Sequence, residues 1–169
     1  IRQAIYEILS RDKKVGFMKT YSKKDLTIED YIWFKGDCLK LLKAIPDNSV
    51  QLIVTSPPYN IQKDYEKGSD LSDYLIFQEQ VIEECYRVLK KSGSICWQVG
   101  NYVEKGEIVP LDILFYRIFQ QHEMKLRNRI IWHFEHGFHA KHKFSGRYET
   151  VNWYTKSDDY LFNVDPIRV

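Results

Sequence analysis

The sequence predicts an α/β domain, in which strands alternate with helices and the helices pack on a largely parallel sheet. Three observations carry that expectation. Val50 to Val54 is nearly all apolar, as suits a strand buried on both faces of a parallel sheet. Leu75, Ile82, Cys85 and Leu89 recur at helical spacing, and a strand-like run, Ser94 to Val99, follows them. Pro110 then opens a second apolar-faced helix, and Arg129 to His133 reads as the strand after it.

In chain order, Ile1 to Lys24 combines an amphipathic opening (Ile1, Ile5, Ile8, Leu9) with a basic run, which predicts a short helix and then a loop. Tyr31 to Lys35 is aromatic and β-branched and predicts a strand closed by Gly36-Asp37. Leu39, Leu42 and Ile45 form a short helix after it, ended by Pro46-Asp47-Asn48. Ile61 to Leu71 is polar and reads as a loop, with Ser72 or Asp73 capping the next helix and Lys90, Lys91 and Gly93 marking its end. Ile113, Leu114, Tyr116, Ile118 and Phe119 supply the apolar surface of the helix after Pro110. Glu149 to Thr155 is a further strand, and Tyr160 to Asn163 the start of one more. Trp97, Trp132 and Trp153 sit on these strands and are expected in or near the core. The expected organisation is an N-terminal helix and loop over residues 1–30 and one larger unit over 31–169.

At 169 residues, with 44% hydrophobic and 15% aromatic residues, the chain can bury a real core, which argues against disorder. A net charge of +2 is too small to argue for a nucleic-acid partner by itself. Cys38, Cys85 and Cys96 are odd in number with no close pair, which excludes a disulfide framework or a CxxC motif and points to a reducing cytoplasm. No stretch approaches the roughly 18 unbroken apolar residues of a membrane-spanning helix, and the first residues lack a secretory signal pattern. The chain starts at Ile1 and stops at Asp165-Pro166-Ile167-Arg168-Val169 without a closing helix pattern, so it is expected to be a piece of something longer.

In an open α/β sheet, ligands sit beyond the carboxyl ends of the strands, and Ser56-Pro57-Pro58-Tyr59 stands directly after the buried strand. Consecutive prolines fix backbone angles and donate no amide hydrogen, leaving carbonyl acceptors held in one direction. That suits methylation of an exocyclic base amine, whose lone pair is delocalised into the ring. Two acceptors aimed at its hydrogens, the Ser56 side-chain oxygen and the Pro57 carbonyl, favour a tetrahedral nitrogen able to attack a methyl group. Tyr59 would stack on the base. The alternative is that Pro-Pro merely stops the strand and Tyr59 packs on the core.

Thr55-Ser56-Pro57-Pro58-Tyr59-Asn60 resembles the catalytic motif of amino-methylating DNA methyltransferases. Gly36-Asp37-Cys38-Leu39, followed by Pro46-Asp47-Asn48-Ser49 and the apolar strand, is similar to the lead-in of the permuted β subgroup, in which the catalytic half precedes the cofactor half. Glu84 to Lys90 with Gly93-Ser94-Ile95 resembles that family's helix-to-strand segment. The resemblance, over roughly residues 31 to 163, implies a Rossmann-like methyltransferase fold of restriction-modification type, in the cytoplasm of a prokaryote or phage. It implies S-adenosylmethionine as cofactor, double-stranded DNA as partner and, often, a homodimer.

Carried over by position, the likeness makes Ser56, Pro57, Pro58 and Tyr59 the reacting turn, with Ser56 and Pro57 holding the amino group of an extruded base and Tyr59 stacked on it. Asp37 and Cys38, with Ser56 and Pro57, would lie at the cofactor. For Asp37 a helix-capping role stands beside that one. Ser rather than Asp at the first motif position leans toward cytosine over adenine.

The family's glycine-rich cofactor loop, aromatic-x-Gly-x-Gly, is missing: Gly36, Gly93, Gly100, Gly106, Gly137 and Gly146 form no such motif. The fold is therefore expected to be incomplete, with strands wanting between Tyr31–Lys35 and Val50–Val54. Their source would be the same longer chain or a partner chain.

Lys125, Arg127, Arg129, Lys141, Lys143 and Arg147 face a single acidic residue, Glu135, between positions 125 and 147. Lys141, Lys143, Arg147 and Tyr148 are the candidate DNA contacts, against the alternative of a solvated loop. Phe144 to Tyr148 is expected to approach the flipped base from its other side, or Phe144 and Tyr148 to pack in the core. His133, His136, His139 and His142 recur every third residue, but no cysteine or carboxylate stands at ligand spacing and no metal is expected. Asn60 to Leu71 reads either as a lid or as a surface connection. Other substrates compatible with the turn are an RNA amine and a glutamine side-chain amide, and a non-catalytic DNA-binding fragment is the remaining alternative.

Overall fold

The computed structural model describes residues 15–18, 21–23, 26–28, 31–60, 70–135 and 141–168. The chain opens with β1 (Val15–Met18), β2 (Tyr21–Lys23), β3 (Leu26–Ile28) and β4 (Tyr31–Phe34). β1 pairs antiparallel with β4, and β2 with β3. The helix expected at Ile1 to Leu9 lies outside the described residues. The loop expected up to Lys24 is corrected, since Val15–Met18 and Tyr21–Lys23 are strands. β1 finds its partner beyond the stretch that local periodicity samples, whereas β2 pairs with the neighbouring β3, and the β1–β4 ladder joins the two sides of the boundary expected after residue 30.

The chain continues through α1 (Cys38–Ala44), β5 (Val50–Thr55), α2 (Leu71–Val88), β6 (Leu89–Val99), a hairpin of β7 (Asn101–Glu104) and β8 (Glu107–Pro110), α3 (Leu111–Gln121), β9 (Lys125–His133) and β10 (Tyr148–Thr155). A single 3₁₀ turn, Asp165–Ile167, lies near the end. Tyr160 to Asn163, expected to start a strand, has no ladder. Among the described residues no helix is long and apolar enough to cross a membrane.

The main sheet has the order β5-β6-β10-β9. β5 and β6 are parallel, with Ile53 opposite Ile95 and Thr55 opposite Trp97. β10 is antiparallel to both neighbours. The α/β architecture is as expected, but the described sheet is mixed rather than mainly parallel. β10 inserts between β6 and β9 and reverses direction, which strand-helix alternation up to His133 does not foreshadow.

α2 is capped by Asp70, whose Oδ1 accepts from the Ser72 amide at 3.3 Å, so the cap lies just ahead of the expected Ser72 or Asp73. The helix passes into β6 without a loop, and Lys90, Lys91 and Gly93 belong to the strand. At Gly93 a Cβ would meet the Leu89 side chain at 2.7 Å and the Lys90 carbonyl at 2.9 Å, which is why glycine stands there.

Tyr74, Val81, Ile82 and Cys85 of α2, at i, i+7, i+8 and i+11, turn one face to the sheet, and Leu111, Phe115, Ile118 and Phe119 of α3 do the same. They close over Ile95, Trp97 and Val99 of β6 and Tyr154 of β10. Trp97 meets Phe115 and Phe119 edge-on at centroid distances of 5.8 and 5.6 Å, and Phe119 stacks on Tyr154 at 4.0 Å. Trp97 is thus core as expected. Trp153 is half-buried and packs on Tyr160 and Phe162.

The other face of the sheet is different. Leu52 and Val54 are 56% and 70% exposed, so β5 is not buried on both faces within the described residues, and Trp132, expected near the core, is 57% exposed. These side chains lie on the face away from α2 and α3. Pattern alone marks them apolar without saying which face the described helices cover.

Arg87 ties α1 to α2. Its guanidinium donates to the carbonyls of Leu42 at 2.7 Å and Ile45 at 3.0 Å, to Glu84 at 2.7 Å, and also to Asp47. It thereby satisfies orphan carbonyls at the α1 C-terminus and fixes the turn that launches β5. Lys156 works nearby, donating to the carbonyls of Tyr86 at 2.8 Å and Leu89 at 2.9 Å and sitting 4.2 Å from the Tyr86 ring centre. Because the Arg87 bonds are charge-assisted and its fork cannot be copied by an ammonium, Arg87→Ala should lower the unfolding free energy by roughly 1.5–3 kcal/mol, and Arg87→Lys should recover only part of that. Urea unfolding of the variants measures both.

Candidate active site

β5 ends at Thr55, and the chain turns at once through Ser56, Pro57, Pro58 and Tyr59. Pro57 is buried beneath the corner while Ser56 and Pro58 are exposed, and Asn60, 4% exposed, closes it with φ of 58°. Asparagine tolerates that left-handed conformation better than most side chains. Beyond ending the strand, the corner is tied to distant elements through the Pro58 carbonyl and Tyr59.

The Tyr74 hydroxyl, on α2, donates to the Pro58 carbonyl at 2.6 Å. No described residue donates to the Pro57 carbonyl. Of the two proline carbonyls, one is tied to the core and the other accepts from no described residue.

Tyr59 is half-buried, and its hydroxyl stands 3.0 Å from Ser56 Oγ and donates to Glu149 Oε2 at 3.1 Å. Gln98 Nε2 donates to the same carboxylate oxygen at 2.7 Å. Burial pushes the Tyr59 hydroxyl above the usual tyrosine range; the bond from Ser56 works against this and the Glu149 charge adds to it, so the group stays protonated at neutral pH. One edge of the Tyr59 ring lies against Gly100, where a Cβ would meet ring carbons at 3.1 and 3.3 Å. Gly100 follows β6 and Glu149 is the second residue of β10. Their proximity follows from the antiparallel register that sets Thr150 opposite Val99.

Glu149, Gly100, Arg129 and Tyr148 also line an open recess of about 160 Å³ beside the corner. Gln98, Gly100, Glu149 and Tyr74 are the site residues that sequence reasoning missed. The available signal was positional: Gly100 ends one strand and Glu149 begins another, where antiparallel neighbours meet.

Asp37 caps α1, its Oδ1 accepting from the Leu39 amide at 2.9 Å, while its side chain is exposed. Cys38 is exposed beside it. The cysteines offer no ready thiolate: burial pushes the Cys85 thiol up to about 12 and raises those of Cys38 and Cys96. No cluster of three or more His, Cys, Asp or Glu residues able to hold a metal occurs among the described residues.

The basic segment divides. Lys125 and Arg127 both bond Asp158, Arg127 at 2.7 Å, and Arg129 pairs with the nearly buried Asp112. Lys141 and Lys143 are exposed, Arg147 is half-buried, and Tyr148 is 44% exposed. Phe144 is fully exposed, so it does not take the core role considered for it within the described residues. Residues 61–69 of the expected lid, and His136 and His139, lie outside the described residues.

Comparison with known proteins gives this corner its context. The family model described as DNA methylase, of N6/N4 type, matches residues 50–169. The chain is 54% identical to the type II methyltransferase M.BglII of Bacillus subtilis over 137 residues, covering 80% of this chain and 38% of that protein. Among solved structures it is similar to the PvuII DNA methyltransferase (cytosine-N4-specific), with TM-score 0.63, 22% identity, and coverage of 75% of this chain and 49% of that one. It is also similar to TTHA0409 of Thermus thermophilus, solved in complex with S-adenosyl-L-methionine, with TM-score 0.62, 25% identity, and coverage of 78% and 55%. The chain thus spans about half or less of the proteins it matches. With a match that starts at the first residue of β5 and takes in the proline corner, Tyr59 and Glu149, the chain belongs to the N6/N4 DNA methylase family.

Proposed function

We propose that this chain is the catalytic part of a site-specific DNA methyltransferase that places a methyl group on the exocyclic amino nitrogen of a flipped base, with cytosine ahead of adenine as the target. The observation that carries the reading is the division of labour at the corner, where Tyr74 occupies the Pro58 carbonyl while no described residue donates to the Pro57 carbonyl, which with the exposed Ser56 hydroxyl would supply the two acceptors. An amine offered to that pair loses conjugation with its ring and turns its lone pair outward. S-adenosylmethionine supplies an electrophilic methyl carried on a sulfonium.

The chain's own part is to orient the amine, exclude alternatives and stack on the base. Tyr59, its edge seated against Gly100, would supply the ring for stacking, worth roughly 1–3 kcal/mol per base. A duplex base cannot reach the corner unless it leaves its stack. The turn itself, Thr55 to Asn60, contains no cysteine nucleophile for attack on a ring carbon.

The residues present fit one side of a cofactor pocket. Asp37 uses only Oδ1 for capping, so its exposed carboxylate can accept from a hydroxyl of the adenosine portion, with Cys38 adjacent and Ser56 and Pro57 toward the methyl. The glycine-rich loop would come from the remainder of a longer protein, or from a partner chain, which would also cover the sheet face carrying Leu52 and Val54.

Lys141 and Lys143 are proposed to contact DNA phosphates, with Arg147 and Tyr148 nearer the base. Lys125, Arg127 and Arg129 hold Asp158 and Asp112 and contribute less. Three outcomes follow for the full-length protein. Tyr59→Ala should abolish turnover in single-turnover methyl transfer. Gly100→Ala, which drives a methyl into the Tyr59 ring, should lower the rate with the fold intact by circular dichroism. Lys141→Ala should weaken binding alike for all DNA sequences and reduce the slope of log affinity against log salt by about 1, as read by fluorescence anisotropy across a salt series.

A further inference from the structure

Tyr59 has one hydroxyl proton, and a carboxylate at neutral pH can only accept. The Glu149 bond therefore takes that proton and leaves the Tyr59 oxygen as the acceptor toward Ser56. Ser56 must then donate, and its hydroxyl proton points at Tyr59. Both lone pairs of Ser56 Oγ are left facing outward on an exposed side chain. Gln98 holds the carboxylate in place at 2.7 Å and, being a donor, leaves its charge intact.

The order of protons along Ser56, Tyr59 and Glu149 is thus set at the far end, by a residue 90 positions from Tyr59 in sequence. Were Glu149 able to donate, the chain could reverse: Tyr59 would donate to Ser56, and the Ser56 proton would turn toward the incoming amine. A donor facing a donor repels, and the amine would lose one of its two acceptors.

We propose that Glu149, held by Gln98, is a positioning residue for methyl transfer, acting through Tyr59 to keep Ser56 an acceptor toward the target amine. This rests on the functional reading above, and it goes further by giving the Tyr59 hydroxyl a task separate from that of its ring. Stacking needs only the ring face, whereas proton order needs the hydroxyl.

The test is a double-mutant cycle in the full-length protein, with single-turnover methylation of duplex DNA and DNA affinity measured together. Glu149→Gln keeps the size of the side chain but can donate to Tyr59. It should lower the methyl-transfer rate about tenfold or more, the worth of one hydrogen bond to a charged group, with DNA affinity within about twofold of wild type. Tyr59→Phe keeps the ring, and in that background Glu149→Gln should cost nothing further. An equal loss in both backgrounds, or no loss in either, overturns the proposal.

A second readout needs no turnover. Glu149 contributes to the upward shift of the Tyr59 hydroxyl through its charge and its hydrogen bond, so neutralising it should move the Tyr59 ionisation midpoint down. Tyrosinate difference absorption, with Tyr59→Phe subtracted to isolate this residue, measures the midpoint. A midpoint that stays in place breaks the link between Glu149 and Tyr59. A midpoint that falls in a protein unable to methylate DNA would keep the proton order and discard the functional reading instead.

Discussion

Everything at the site depends on two consecutive prolines that cannot relax. Their rings fix φ and leave no amide hydrogens, so the corner after β5 has carbonyl acceptors but no backbone donors of its own at Pro57 and Pro58. Donors must come from elsewhere, and the fold sends one to Pro58, the Tyr74 hydroxyl from the buried face of α2. No described residue donates to the Pro57 carbonyl, which the proposed function assigns to the incoming amine. A corner with both carbonyls taken would be structure alone, and one with neither taken would have no anchor to the core.

That division needs the rest of the described fold. Tyr74 is aimed because α2 packs on β6 through Ile82 and Cys85, with Trp97, Phe115 and Phe119 interlocked beneath. β5 is launched in register because Arg87 gathers the α1 carbonyls, and Lys156 pins the α2 end to the end of β10. Glu149 reaches Tyr59 because β10 runs antiparallel to β6, bringing the start of one strand to the end of the other. The described helices cover one face of the sheet, and the apolar residues of β5 on its opposite face remain open to a further layer.

Much of this was legible along the chain, because it is written in short-range patterns. The proline corner, the apolar run before it, the α2 face and the burial of Trp97 follow from neighbours within one or two turns. What escaped was set by contacts distant in sequence. Glu149 read only as the first residue of a strand, and Gly100 only as a strand end, until pairing placed both around Tyr59. The segment from Lys125 to Arg147 read as basic against a single acid, Glu135, since the acids that hold Lys125, Arg127 and Arg129 lie at 112 and 158, outside it. Trp132 carries the same apolar signal as Trp97, yet it sits on the face the described helices do not cover. The β1–β4 ladder and the β7–β8 hairpin are short, and short ladders depend more on their partners than on their own composition.

The chemistry inferred for the corner is narrow: acceptors for an amine, a ring for stacking, and no thiolate for attack on carbon. It distinguishes methylation at an exocyclic nitrogen from methylation at a ring carbon, two products of equal mass on cytosine that separate on chromatography. The most direct measurement is to incubate the full-length protein with duplex DNA and isotopically labelled S-adenosylmethionine, digest to nucleosides and identify the labelled product by liquid chromatography and mass spectrometry. Label on an exocyclic amino nitrogen, foremost as N4-methylcytosine, is the predicted result. Label on a ring carbon, or DNA left without label by an enzyme that methylates another substrate, would contradict the account.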